Sequence, residues 1–233
     1  MSQITTLTFF RFSNFSSRIW AFGMMQFAHK HLINVNGQEL YKLLGTGKEG
    51  FDPRPDWGVY AILQVWENET LARDFHDKSP IMKRYKKKSI EFFQVYLKNI
   101  MTRGEWSGQN PFRKSNSLSD ISAYAVITRA TIKTKLLVKF WRYVPKSKNG
   151  LSSNKGLLLT KGIGEVPFKN MATFSIWKNL DALNEFAYRT KGHVTAIKKT
   201  RDLNWYSEEL FARFQPYKSF GTWYGENPIK IIE

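Results

Sequence analysis

Two stretches of the chain carry nearly the same nine-residue sequence, and this repeat constrains the fold more than any other feature. Residues 104–112 (GEWSGQNPF) return as residues 221–229 (GTWYGENPI), 117 positions later. Four single residues recur at offsets of 117 or 111: Gly45 as Gly162, Gly47 as Gly164, Trp66 as Trp177 and Phe75 as Phe186. Because separate segments recur in one order, we predict two copies of one α/β unit. Functional differences are expected where the copies disagree.

Each copy shows the same order of predicted elements: strand, helix, strand, strand, helix, strand. In the first copy, strands are predicted at residues 5–12, 40–44, 59–66 and 94–100, and helices at 16–33, 68–75 and from Ser79 onward. In the second copy, strands are predicted at 124–130, 157–161, 172–177 and 210–215, and helices at 135–143, 180–188 and 193–203. This order is that of the ferredoxin-like unit, whose antiparallel sheet carries helices on one face.

The sequence therefore predicts an α+β fold in which tandem ferredoxin-like repeats pack sheet to sheet as a dimeric α/β-barrel-like body. The first repeat is placed at residues 1–113, a Ser-rich linker at 114–122, and the second repeat, as the candidate haem-binding half, at 123–233. The repeated glycines lack the spacing of a nucleotide-binding loop. They are predicted to allow close backbone approach or a bulge in a strand.

The net charge and the composition limit the kinds of partner that the chain is expected to bind. The chain carries 36 Lys and Arg against 19 Asp and Glu, a net charge of +17, which attracts anionic polymers or lipid surfaces. The densest basic cluster is Lys83, Arg84, Lys86, Lys87 and Lys88, which is either a solvated helix face or the contact with an anionic membrane. The aromatic residues follow core periodicity, so no nucleic-acid partner is expected. The chain is compatible with a homo-oligomer.

The absence of cysteine removes several kinds of site. It excludes disulfides, zinc–thiolate sites, iron–sulfur clusters and thiolate-ligated haem. The N-terminus lacks the basic start and apolar stretch of a signal peptide. No run of apolar residues is long enough to span a bilayer. We therefore expect a cytoplasmic protein that contacts the membrane peripherally.

Three of the four histidines receive different predictions, and His29, two positions from His31 on a predicted helix, is a poor partner for it on one metal. His31 shares a predicted apolar helix face with Trp20, Met24 and Phe27, which favours burial. His76, beside Asp77 and Lys78 at a helix end, is expected to be exposed. His193 begins the last helix of the second copy, where the first copy has Met82 at the offset of 111. One imidazole suffices as the proximal ligand of a haem iron, so this difference indicates one live site and one degenerate site. A capping or core histidine is the alternative.

Blocks along nearly the whole chain resemble the spheroidene monooxygenase family. In the first half these blocks are FRF at 10–12, WAFGMM at 20–25, YKLLGTG at 41–47, YAIL at 60–63 and RGEWSG at 103–108. In the second half they are TRATI at 128–132, GIGEVP at 162–167, TFSIW at 173–177 and EELFARF at 208–214. The segment FAHKH at 27–31 departs from the family pattern.

The resemblance implies a haem-dependent monooxygenase that introduces a 2-keto or 2-hydroxy group into an acyclic or monocyclic carotenoid. It implies O₂ as oxidant and a ferredoxin-type electron donor. The family histidine matches His193, which makes His193 the expected metal ligand. We further hypothesise that Arg129 or Lys161 meets a haem propionate or polarises bound oxygen, and that Trp177 and Trp205 pack against porphyrin or polyene.

Two alternatives remain open at this point. One is a cofactor-free monooxygenase of the same barrel type. The other is a non-catalytic protein that binds apolar pigments. Each candidate site residue also has a purely structural interpretation. Arg129 and Lys161 would then be surface charges, and Trp177 and Trp205 would pack in the core.

Overall fold

The computed structural model describes residues 2–49, 52–118, 122–143, 155–189 and 203–229. It contains eight strands: β1 Ile4–Arg11, β2 Gln38–Lys48, β3 Asp52–Trp66, β4 Glu91–Gly104, β5 Tyr124–Ile132, β6 Leu157–Val166, β7 Asn170–Trp177 and β8 Tyr206–Gly221. Six helices lie in the same ranges: α1 Phe15–Phe27, α2 His29–Leu32, α3 Glu69–Lys78, α4 Pro80–Lys88, α5 Leu137–Tyr143 and α6 Leu180–Asn184. A 3₁₀ turn at Thr134–Leu136 precedes α5, and a π turn at Glu185–Arg189 follows α6.

The eight strands form one closed antiparallel barrel in the order β1-β3-β2-β6-β7-β5-β8-β4. Within this order, the first half of the chain runs β4-β1-β3-β2 and the second half runs β8-β5-β7-β6. The halves join edge to edge, through a short pairing of β2 with β6 and a long ladder between β4 and β8. The prediction of an α+β, barrel-like body is thereby confirmed.

The repeated glycines lie at irregular points of the sheet, as predicted. Gly45 pairs with Gly164 where β2 meets β6, and the register of β2 with β3 shifts after Gly47. A Cβ atom on Gly47 would lie 2.8 Å from the carbonyl oxygen of Asp52, too close for any side chain. These glycines therefore allow close backbone approach at bulges rather than binding a phosphate.

The barrel interior is the main hydrophobic core. Because side chains alternate along a strand, every second residue points inward. Phe9, Leu63, Phe93, Ile127 and Phe174 are among the inward residues that are almost completely buried. Helices cover the outer faces of the sheet, where separate apolar clusters form.

The two copies of the repeated nine-residue word fold into two similar loops, called here the cap loops (residues 104–112 and 221–229). In each loop the Trp amide donates to a carbonyl three residues later, at 2.8 Å in the first loop and 2.6 Å in the second. Asn110 and Asn227 each accept from the amide two residues on, at 3.1 and 3.0 Å. Trp106 of the first loop belongs to the interior core, and Trp223 of the second packs against it.

Each cap loop begins at a glycine that no other residue type can replace without strain. Gly104 and Gly221 have φ values of +85° and +77°. A Cβ on Gly104 would collide with the carbonyl oxygen of Glu209, and one on Gly221 with that of Phe92. The repeat of the sequence word is thus explained by a repeated backbone shape.

The structure corrects the predicted helix at residues 16–33. The helix is broken at Ala28 into α1 and α2, and its inward face carries Ser17, Ala21 and Met24. Phe27, predicted to be inward, is 62% exposed. The periodicity could not decide between the faces because α1 is apolar on both.

Two histidine predictions were also wrong. His31 is exposed on α2, whereas His76 on α3 is 1% exposed and packs between Trp66, Phe75 and Tyr96. His76 lies on the inward side of an amphipathic helix, and the charged neighbours that suggested exposure, Asp77 and Lys78, point away from the sheet. None of the helices in the described part of the chain is long and apolar enough to cross a membrane.

Candidate functional site

The outer faces of the two half-sheets differ at one equivalent position. Thr8 on β1 pairs with Ile62 and Gln94, and Thr128 on β5 occupies the matching place between β7 and β8. Thr8 is completely buried and accepts a hydrogen bond from Gln94 Nε2 at 2.9 Å. Thr128 is exposed although β5 is flanked by strands on both sides. Among the described residues, Thr128 is therefore accessible at the place where Thr8 is closed; the predicted helix at 193–203, the counterpart of α4, lies mostly outside these residues.

We call this surface the open face and define it by the outward-pointing residues around Thr128. Strand alternation and pairing place six residues on it: Val126, Thr128, Thr173, Ser175, Phe211 and Arg213. Val126 and Phe211 are apolar, and the threonines and the serine are neutral. Such a floor suits an apolar ligand with few polar groups.

Aromatic clusters close the open face at both ends. At one end Trp177 is buried and stacks on Phe186, with ring centroids 5.2 Å apart. At the other end Trp205 is buried edge-on against Phe140, at 5.4 Å. Tyr124, which pairs with Trp177, lies eight residue steps along β5 from Ile132 in the Trp205 cluster, a span of about 27 Å for an extended strand. The open face is therefore long and narrow, and Trp177 and Trp205 lie at opposite ends of it.

Arg213 is the cation of the open face. It pairs with Val126 across β5 and β8, and its neighbours Ala212 and Phe214 point into the barrel. Its Nε atom is buried and has no hydrogen-bond partner in the described part of the chain. A buried donor without an acceptor is costly. Arg213 is therefore suited to an anionic group of a ligand on this face.

Arg129 lies on the opposite surface of the same sheet, inside the barrel. It is 3% exposed, its guanidinium forms an ion pair with Glu208, and it lies 3.6 Å from Glu165. Its guanidinium also covers the ring of Trp106. Burial lowers the pKa of Arg129, and Glu165 opposes that shift. The structure does not bring Arg129 together with Trp177.

Lys161 also points into the barrel and is already paired. Its Nζ atom lies 2.8 Å from Glu49 Oε1 and 3.0 Å from Asp56 Oδ2, and the residue is 2% exposed. Burial disfavours its charged form, but the hydrogen bonds that Lys161 donates to Glu49 and Asp56, together with their negative charges, outweigh burial and raise the pKa of Lys161. Lys161 therefore remains protonated and does not reach the open face.

The first half contains a counterpart of the Arg129 pair. Arg11 bonds to Glu91 at 2.7 Å, and Glu91 accepts the amide of Gly225 in the second cap loop at 2.7 Å. Glu208 accepts the amide of Gly108 in the first cap loop at the same distance. Both arginines thus bind a glutamate that anchors a cap loop. This recurrence points to a structural role for Arg129.

The histidines are distributed as follows. His193, the expected metal ligand, and the rest of residues 190–202 lie outside the described residues. His29 is exposed, with Nδ1 2.9 Å from the Tyr41 hydroxyl. Across the residues that the structure describes, no three His, Asp or Glu side chains gather as metal ligands.

Sequence reasoning missed Thr128 and Arg213 as site residues, for different reasons. Thr128 has the same residue type as its counterpart Thr8, so the sequence contains no signal. Arg213 does carry one, since the position 117 earlier is Tyr96, which is buried in the first half. An arginine in place of a buried tyrosine, between two inward apolar residues, could have marked the open face.

Comparison with known proteins gives consistent relatives. No protein-family model matches the chain. Spheroidene monooxygenase from Cereibacter sphaeroides is 38% identical over 229 residues, covering 97% of this chain and 71% of the relative. The enzyme of the same name from Rhodobacter capsulatus is 34% identical, with 99% and 98% covered, and that from Rubrivivax gelatinosus is 32% identical, with 90% and 81% covered.

Solved structures share the fold at low sequence identity. An aldoxime dehydratase matches with a TM-score of 0.63 at 7% identity, covering 93% of this chain and 82% of that one. Another, in complex with butyraldoxime, matches with a TM-score of 0.62 at 8% identity, covering 93% and 80%. At these identities the likeness concerns the fold alone.

Proposed function

The chain belongs to the spheroidene monooxygenase family and is a carotenoid monooxygenase, and we propose that it introduces a 2-keto or 2-hydroxy group into an acyclic or monocyclic carotenoid. The observation that supports this substrate class is the open face of the second half. It is a strip about 27 Å long between two aromatic clusters, and its floor carries the apolar side chains of Val126 and Phe211 beside three hydroxyl-bearing residues. An elongated polyene fits such a strip better than a compact substrate does.

We propose haem as the cofactor, with His193 as the residue that would hold its iron. The open face supports this proposal because it offers the apolar side chains of Val126 and Phe211 and, at Arg213, a buried guanidinium nitrogen without a hydrogen-bond partner in the described part of the chain. A porphyrin presents the same combination of a flat apolar ring and carboxylates. A bound haem would supply the activation of O₂, while the protein would supply the ligand, a dry surrounding and substrate orientation.

The residues have distinct roles in this proposal. Trp177 and Trp205 are buried in the clusters at the two ends, where they support the surfaces that the flat ring and the polyene would contact. Arg213 binds the carboxylate of the cofactor, which was the role first expected of Arg129 or Lys161. Arg129 and Lys161 stay inside the barrel as ion pairs. Thr128 leaves the floor open for the substrate.

Electrons would come from a ferredoxin-type donor, which the net charge of +17 favours if the donor is acidic. The substrate resides in a bilayer, so we also propose a peripheral membrane contact through α4. Lys83, Arg84, Lys87 and Lys88 are exposed on this helix, and Lys86 lies beside them with its Nζ atom 3.3 Å from the His76 carbonyl. Each cation near an anionic surface contributes about 1 kcal/mol.

The tandem arrangement is likewise a proposal. Matching strand orders in the two halves and matching hydrogen bonds in the two cap loops support descent from one duplicated unit. The placement of the repeats at 1–113 and 123–233 stays a prediction. In this scheme the open face marks the half that kept a ligand site.

The visible absorption spectrum tests the cofactor. Protein produced with added haem is expected to show a Soret band that is lost or shifted in His193→Ala and retained in His29→Ala, a matched control on the exposed face of α2. A Soret band that His193→Ala leaves unchanged would move the axial ligand elsewhere. A wild-type protein without the band would contradict haem and favour a cofactor-free oxygenase.

A further inference from the structure

Helix α1 exposes large apolar side chains on the face opposite its buried one. Its inward face is formed by Ser17, Ala21 and Met24. The outward residues Phe15, Ile19 and Phe22 recur at a spacing of four and three, which aligns them along one side of the helix. They are 79%, 54% and 56% exposed. A helix that is apolar on both sides is expected where a second apolar medium covers it.

The exposed face continues onto the barrel. Trp57 at the start of the hydrophobic part of β3 is 55% exposed, and its ring lies edge-on to Phe22 at 5.3 Å. We name these four residues the apolar ridge: Phe15, Ile19, Phe22 and Trp57. Four large side chains in one exposed group exceed what scattered surface apolar residues produce.

The two helical segments beside the apolar ridge carry basic but no acidic residues, while Asp56, which adjoins Trp57, is paired with Lys161. Residues 12–33, which contain α1 and α2, and residues 79–90, which contain α4, hold none of the 19 acidic residues of the chain and seven of its 36 Lys and Arg. The helices also contact each other, because Lys88 Nζ lies 5.4 Å from the centre of the Trp20 ring. A groove of about 430 Å³ joins them, lined by Asn14, Ser16, Ser17, Arg84, Lys87 and Lys88.

We propose that the apolar ridge of α1 inserts into the acyl region of an anionic bilayer while the basic groove beside it binds lipid phosphates. The inference rests on the proposed membrane contact of α4 and adds the element that enters the lipid. The combination of aromatic and aliphatic residues with cations is typical of interfacial helices. Phe15 lies between Asn14 and Ser16, two residues of the groove. Insertion of the ridge and binding of phosphates by the groove would therefore occur side by side and fix how the barrel faces the membrane.

A second copy of the chain is the other candidate occupant, and charge argues against it. In a twofold contact the same surface patch faces itself. That contact would bring the seven cations of one copy against the seven of its partner, with no acidic residue in either segment to offset them. A surface rich in lipid phosphate supplies the opposite charge.

Because the chain has no cysteine, a single introduced thiol can report insertion at one site. Phe22→Cys would carry a nitrobenzoxadiazole label, and Val138→Cys on α5, where the native side chain is 69% exposed, is the matched control. Vesicles of phosphatidylglycerol and phosphatidylcholine contain no carotenoid, so the result is independent of oxygenation. We expect a blue shift and a severalfold rise in emission at position 22 and neither change at position 138.

An unchanged label at Phe22, or equal changes at both positions, would overturn the proposal. So would a change that follows protein concentration without vesicles, since that result indicates a second copy. In unlabelled protein, Phe22→Ser combined with Ile19→Ser is expected to lower vesicle partitioning at least tenfold with the melting temperature unchanged. Lys87→Glu with Lys88→Glu lowers binding to anionic vesicles but leaves any insertion at Phe22 on bound protein intact. Equal partitioning of the Phe22→Ser and Ile19→Ser variant would equally refute insertion.

Discussion

His76 should make the stability of the protein fall steeply between neutral and mildly acidic pH. Its ring is buried, and Nε2 lies 3.2 Å from the Thr6 hydroxyl. Burial, helped by the nearby charge of Lys86, lowers the pKa of His76 to about 3, against about 6.5 in the unfolded chain. Between pH 6.5 and pH 3, His76 therefore binds a proton in the unfolded chain but not in the folded chain. The contribution to stability is complete above pH 6.5 and is lost as pH falls towards 3.

The size of the effect follows from the two pKa values. Between them each pH unit is worth 1.36 kcal/mol, so the full difference is about 5 kcal/mol. From pH 7 to pH 5 the loss is about 2 kcal/mol. Exposed carboxylates change little in this interval, which makes it the informative one.

Urea unfolding of the wild type and of His76→Gln at pH 7, 6 and 5 measures how much of the pH dependence of the unfolding free energy comes from His76. The variant is expected to be less stable at pH 7 but to lose about 2 kcal/mol less than the wild type on going to pH 5. His29→Gln and His31→Gln, whose native side chains are exposed, should keep the wild-type pH dependence. Parallel curves for the wild type and His76→Gln would refute the reasoning. If His76→Gln does not fold, an NMR titration of wild-type His76 that shows protonation near pH 6 would refute it equally.

Three further predictions rest on other parts of the structure. Gly221→Ala should destabilise the fold by about 3 kcal/mol or more in thermal unfolding, because backbone strain and a collision with a carbonyl oxygen combine. Gly225→Ala, which has the same sign of φ but open space around its Cβ position, should cost about 1 kcal/mol, and equal losses in the two variants would contradict the collision. Arg129→Met should cost about 2 kcal/mol of folding free energy by removing the cation that pairs with the half-buried Glu208, yet leave the wavelength of any Soret band unchanged; a shifted band would return Arg129 to the cofactor. Thr128→Phe should reduce carotenoid turnover with stability within about 0.5 kcal/mol of wild type, while Thr8→Phe should destabilise the closed half by about 3 kcal/mol; the opposite ranking would mean that the open face has been assigned to the wrong half.

The fold could be predicted where local patterns agree with tertiary contacts. Strand β1 was placed within one residue because alternation is strong and both its neighbours lie in the same half. Strand β2 was predicted to end at Leu44 but continues to Lys48. That extension pairs with β6, through Thr46 and Ile163, and a contact between distant segments leaves no local signal.

The candidate site was less predictable because it depends on which face a residue takes. Arg129 and Lys161 were predicted to meet a haem propionate or bound oxygen, with surface charge as the alternative; the surface-charge alternative was wrong, because both are buried inside the barrel. Side chains alternate between the two faces of a strand, so a shift of one residue in the assignment moves a side chain from the barrel interior to the open face. The repeat offset could have singled out Arg213 through its buried counterpart Tyr96, but its place beside Val126 on β5 follows only from the strand pairing.

Incorporation of oxygen from O₂ into a carotenoid is the central claim, and isotope labelling tests it most directly. The purified protein would be supplied with spheroidene in detergent, a reduced ferredoxin and ¹⁸O₂, and the product reduced with borohydride before carbonyl exchange. The account predicts a carotenoid product that carries ¹⁸O from the gas, formed by wild type and lost in His193→Ala. A product with oxygen from water, or spheroidene left unchanged by intact haem-loaded protein with a competent donor, would contradict it.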